Sequence, residues 1–228
     1  MKLSKRSASA VSIAGVILYW LYTFYRSSGT RPDFPSGTEE LFLSIIKSKI
    51  IIIAAVYLLL RLEGEGFRQI GFNGERFFRH LTTGILFGLA SWVLVNVIVI
   101  PILNSVNPGI SKDGLDMAVY MKDIRTVYLW IPIVIFGAFA EELLRIFMLT
   151  RFENSFGKTG LYIALIFTSV TFGIGHLYQG PNAAIGTGLG GLMYALVYLR
   201  KRSAVEAFTS HAFFNIISVA GGFLMNNN

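Results

Sequence analysis

Residues 81–103 form a run of 23 residues without a single Asp, Glu, Lys or Arg. A helix needs about 20 such residues to cross a hydrocarbon layer about 30 Å thick. A helix on the surface of a soluble protein keeps one polar face instead. Comparable apolar segments recur at 8–25, 41–62, 127–149, 160–177, 183–199 and 205–224. The pattern predicts an all-α polytopic transmembrane bundle of about seven spans, with residues 1–228 forming a single integral membrane domain. Charged residues make up 14% of the chain, against about 25% in soluble domains. That excludes an ordinary cytosolic fold and a disordered chain. Cysteine is absent, which excludes disulfides, a thiol nucleophile and cysteine zinc sites.

The connecting segments give an orientation. Segment 8–25 follows Lys2, Lys5 and Arg6, and the bulky stretch Tyr22, Thr23, Phe24, Tyr25 and Arg26 offers no small-residue cleavage site. It reads as an uncleaved anchor. Segment 41–62 is interrupted by Lys47 and Lys49, which are expected to snorkel from one end to the interface. Residues 63–80 mix charges and glycines with aromatics, as in a segment lying on the membrane surface or a solvated loop with a few packed rings. Residues 104–125 read as a polar loop. The net charge is +7. With the N-terminus inside, twelve Lys and Arg fall on the inner side and seven on the outer, with Arg145 inside a span. The basic surplus therefore orients the chain in lipid, N-terminus cytoplasmic, and does not indicate nucleic acid.

The candidate functional residues are the polar ones inside the last four apolar segments. An ionisable group at mid-membrane costs at least about 2.5–3.5 kcal/mol and marks a functional site by default. Glu141, Glu142 and Arg145 lie in the fourth segment, His176 in the fifth, and His211 with Asn215 in the seventh. His80 stands at a segment boundary and reads as an interfacial side chain. Arg145 is within helical reach of either glutamate, at four or three residues. Adjacent glutamates point about 100° apart, so one is free for chemistry while the other is held by the arginine. Carboxylates and imidazoles in a partly wet cavity suit the activation of water, with Asn and a second His as donors to an oxyanion. The same groups also suit a proton or ion pathway, or a non-catalytic membrane protein such as an immunity factor or scaffold. With a turn in 151–158, Glu141 lies about 15 Å from it and His176 about 25 Å, so tilt or a break near Gly173 and Gly175 has to align them. Gly186, Gly188, Gly190 and Gly191 read as a close-packed helix face.

The stretches Ala140-Glu141-Glu142-Leu143-Leu144-Arg145, Phe172-Gly173-Ile174-Gly175-His176 and His211-Ala212-Phe213-Phe214-Asn215 resemble the three motifs of the CAAX-protease and bacteriocin-processing family of intramembrane proteases. The resemblance covers about residues 127–220. It implies an intramembrane endopeptidase of the prokaryotic cell membrane, acting on a membrane-associated or lipidated peptide or protein. By the same resemblance Glu141 and His176 activate the water, Glu142 and Arg145 support them, and His211 and Asn215 form the oxyanion site. Arg145 comes one residue earlier than the family pattern, so Glu142 stands as the alternative base. No cofactor is required, although a glutamate and two histidines could ligate zinc.

Overall fold

The computed structural model describes residues 9–11, 13–18, 21, 38–106 and 124–226. Among these there is no strand, and five helices are long and apolar enough to cross a membrane. They are α1 (Thr38–Leu62), α2 (Phe77–Val106), α3 (Ile124–Ile174), α4 (Pro181–Lys201) and α5 (Ala204–Asn226). The chain is an all-α integral membrane protein. The anchor expected at 8–25 lies partly outside the described residues; those described within it are helical. Most of the loop expected at 104–125 also lies outside them, and Asn104 to Val106 belong to the end of α2.

Helix α3 is 51 residues long and accounts for the fourth and fifth expected spans together. Its backbone leaves the helical region at Gly157, with φ 65° and ψ −150°, a conformation open chiefly to glycine. Arg145 and Phe172 are 27 residues apart, which is about 40 Å along a straight helix. Yet the Arg145 guanidinium sits 4.4 Å from the centre of the Phe172 ring. The chain therefore reverses at Gly157, and the two limbs of α3 lie against each other. Gly160 backs directly onto the Phe152 carbonyl, which allows this contact right beside the turn. The turn is a single residue, not a loop, and Glu141 and Phe172 stand 16 and 15 residues from it. The second limb stops at Ile174, the break that the glycines there suggested.

The remaining packing follows an up-and-down order. α1 runs alongside the first limb of α3: Phe42 meets Trp130 edge-on at 4.9 Å, and Glu63 and Glu65 just beyond α1 pair with Arg151. α2 packs on α5 through Gly84 and Gly88, which face Thr209 and Ser210. A π-helical stretch at Val93–Val99 brings Val95 and Ile100 against Gly186 of α4. Gly188 of α4 lies against Gly173 of α3, as the close-packed glycine face requires. Two apolar clusters result. One gathers Val56, Leu60, Leu143, Phe147 and Ala207. The other gathers Phe42, Trp130, Ile133 and Val219. Large apolar side chains such as Leu58, Leu86, Tyr128 and Ile166 are exposed on the outside, as a lipid-facing surface demands.

The connection 63–76 takes the second of its two expected forms, a loop with Arg68, Gly74 and Glu75 exposed and a few rings packed inward. Ile70 is fully buried, Ala204 N donates to Gly71 O at 3.1 Å, and Phe67 and Phe72 pack on Phe139. Apolar burial outweighs the polarity of its neighbours in the chain. His80 is not a lone interfacial side chain. Its Nδ1 donates to Glu206 Oε1 at 2.8 Å, while Arg200 donates to Oε2 at 2.7 Å. Glu206 is fully buried, so its charge has to be met by partners inside the protein.

Arg151 is buried between Glu63 and Glu65. Removing one member of a buried pair leaves a charge without compensation, at a cost of about 3–5 kcal/mol. Arg151→Met is expected to destabilise the protein by that order, read as a lowered midpoint of unfolding in detergent. An unchanged midpoint would show that this pair does not hold the 63–76 connection in place.

Candidate functional site

The two adjacent glutamates on the first limb of α3 have different surroundings. Glu142 is fully buried. Arg145 Nε donates to both its oxygens, at 3.1 and 3.2 Å, and His211 Nδ1 donates to Oε1 at 2.9 Å. Glu141 keeps 19% of its side chain exposed. Its Oε1 accepts from Lys49 Nζ of α1 at 2.5 Å, and its Oε2 lies 3.6 Å from His211 Nε2. The 100° offset of neighbouring helix positions produces this division. Position 142 turns inward to α5, while 141 turns toward the gap between α1 and α5. Of the two reaches open to Arg145, the three-residue one to Glu142 is used.

Phe172 is the hub of the site. Its ring meets Arg145 at 4.4 Å, His176 at 4.7 Å and His211 at 5.6 Å, both imidazoles edge-on. His176 follows the end of α3 in a turn that leads into the 3₁₀ stretch Leu177–Gln179. Its Nδ1 donates to Phe172 O at 2.8 Å. A neutral imidazole with its proton on Nδ1 has its lone pair on Nε2, so the backbone sets the tautomer. His176 is close enough to Glu141 and His211 for their charges to interact. His211 stacks on Tyr194 at 4.5 Å and 13°. Asn215 lies one turn beyond His211 and is half-buried.

All six residues singled out from the sequence thus lie on α3, α5 and the turn after α3, and five of them are joined by the contacts above. Asn215 is brought to the same face by helical spacing alone. Three contributors were not singled out. Tyr194 supplies the stacking platform for His211. Gly191 supplies space: a Cβ there would stand 2.7 Å from Arg145 Nη1 and 2.9 Å from Phe172 Cδ1. Lys49 was expected to snorkel. However, α1 begins at Thr38, so Lys49 is 11 residues from one end and 13 from the other. That is about 17–20 Å of helix, beyond the reach of a lysine side chain. Depth within the helix was the signal that could have found it.

Among the described residues no group of three His, Asp or Glu is disposed to hold a metal ion, and the Lys49 ammonium sits on Glu141.

Fold and site together define a polytopic membrane protein with an acid–histidine cluster buried between its helices. Residues 123–217 match the family model described as Type II CAAX prenyl endopeptidase Rce1-like. That stretch contains every residue of the cluster except Lys49. No curated protein and no solved structure matches the chain.

Arg145 is held from both sides, by Glu142 and by the Phe172 ring, so its guanidinium has little room to yield to a new methyl group. Gly191→Ala is therefore expected to displace it and to cost about 1–3 kcal/mol, as overpacking does. Thermal unfolding of the purified protein in detergent checks this. A stability equal to that of the parent protein would show that the guanidinium is not fixed against α4.

Proposed function

We propose that the chain is an intramembrane endopeptidase that hydrolyses a peptide bond of a membrane-associated or lipidated peptide or protein. Water activated by Glu141 and His176 is the nucleophile. One observation carries the assignment of the base: Glu142 is committed to Arg145 and His211, whereas Glu141 is partly exposed and its Oε2 stands 3.6 Å from His211 Nε2, beyond hydrogen-bond distance. A base must reach the proton it removes, and only Glu141 can be reached.

In this reading a water between Glu141 Oε2 and His176 Nε2 gives a proton to Oε2 as its oxygen attacks the scissile carbonyl carbon. The tetrahedral oxyanion is met by N–H donors from the Asn215 amide and from Nε2 of His211 in its doubly protonated form, since Nδ1 is given to Glu142. Glu141 then passes the proton to the departing amine nitrogen as the C–N bond breaks, which leaves a carboxylic acid and an amine. Glu142 and Arg145 position His211 and do not touch the substrate. No step requires a metal. The charged end of the bundle, with Arg151, Arg200 and Arg202, supports a cytoplasmic location for that end and an inward N-terminus. The resemblance extends to a prokaryotic cell membrane as the setting.

Cleavage of a hydrophobic or lipidated peptide by the purified protein in liposomes tests the reading. Glu141→Ala and His176→Ala are each expected to abolish it. Cleavage that survives both substitutions would remove Glu141 and His176 from the mechanism, and no cleavage by the parent protein would favour a non-catalytic scaffold or an ion carrier. Treatment with a strong zinc chelator is expected to leave the rate unchanged. Loss of activity on chelation, restored by added zinc, would overturn the metal-free mechanism.

A further inference from the structure

The cluster draws one member from outside the stretch that matches the family model. Lys49 of α1 reaches Glu141 across 92 residues of sequence. Its neighbour Lys47 is exposed on another side of the same helix, so a lysine in this part of α1 is not drawn to α3 by composition alone. The stem of Lys49 passes over Gly137, one turn before Glu141, with Cε 3.9 Å from where a Cβ would stand. A larger side chain at 137 would occupy that path. α1 is fixed to the first limb of α3 on both sides of the lysine. Phe42 packs on Trp130 at one end, and Val56 and Leu60 enter the core with Leu143 and Phe147 at the other. The ammonium is thereby held in one place.

We propose that Lys49 is a positioning residue for Glu141, supplying its counter-charge and selecting the carboxylate oxygen that faces the reacting water. This rests on the endopeptidase reading above. Two adjacent carboxylates in an apolar bundle each need a cation, because an ionised group without one neutralises itself. Arg145 serves Glu142, and Lys49 serves Glu141. The ammonium engages Oε1 at 2.5 Å, which turns Oε2 toward His211 Nε2. Oε2 is then the oxygen that takes the proton, on the side where the imidazoles stand. Lys49 acts through Glu141 and does not itself touch the substrate.

The test compares Lys49→Met and Lys49→Arg in the full chain, reconstituted in liposomes with one hydrophobic peptide substrate. Small misplacements of a reacting group cost up to about 100-fold in rate. Lys49→Met is expected to lower kcat by about 10- to 100-fold while KM stays within about twofold. Lys49→Arg, which keeps the charge, is expected to recover most of that loss. If the Met variant fails to fold, Lys49→Gln takes its place, with similar length and no charge. An uncharged variant with the parental kcat overturns the proposal, as does an Arg variant as impaired as the uncharged one. Glu141→Ala separates the two levels of inference. Parental cleavage by that variant removes Glu141 as the base, and with it the mechanism on which the role of Lys49 rests. An inactive Glu141→Ala beside a fully active Lys49→Met removes only the role of Lys49.

Discussion

The buried charge of Glu142 organises the centre of this protein. A carboxylate without access to water is tolerated only when partners inside the protein meet it, and here those partners come from two helices. Arg145 comes from the same turn and His211 from α5. Each partner then needs support of its own. The Arg145 guanidinium is covered by Phe172 from the returning limb of α3 and fits against α4 because Gly191 has no side chain. His211 rests on Tyr194. Satisfying one charge in an apolar medium thus fixes how α3, α4 and α5 sit around it.

That arrangement leaves the neighbouring glutamate free to do something else. Glu142 is bonded on both oxygens and fully buried, while Glu141 shares one oxygen with Lys49 and keeps the other open. Two identical side chains one residue apart acquire different chemistry because a helix rotates them by about 100°. The early position of Arg145 contributes directly. Spaced three residues from Glu142, it closes on the inward carboxylate and leaves the other alone. Other buried charges follow the same rule. Arg151 with Glu63 and Glu65, and Glu206 with His80 and Arg200, each join separate elements at one end of the bundle.

Much of the site was legible because transfer into a membrane is a property of single residues. Glu141, Glu142, Arg145, His176 and His211 stand out in apolar runs whatever they touch, since each carries a cost that function or pairing must offset. The same logic gave the helical class and most of the spans. It misplaced residues whose role depends on a distant neighbour. Lys49 looked like an interfacial lysine because nothing near it in sequence indicates Glu141. His80 looked peripheral because nothing near it in sequence indicates Glu206. For Phe67 and Phe72 it left surface and packed positions both open, because only Phe139, far along the chain, decides their burial.

The sequence by itself determined that the chain is a helical membrane protein, where its apolar segments lie, and which few ionisable groups are out of place within them. These are sums over local residues, and hydrophobic transfer is close to additive along a segment. Only the tertiary structure decided that α3 folds back at Gly157, that Glu142 and not Glu141 takes Arg145, and that Lys49 closes on Glu141. Those outcomes depend on distances between groups on different helices, and a charge in a medium of low dielectric is governed by the nearest opposite charge, wherever in the chain it comes from.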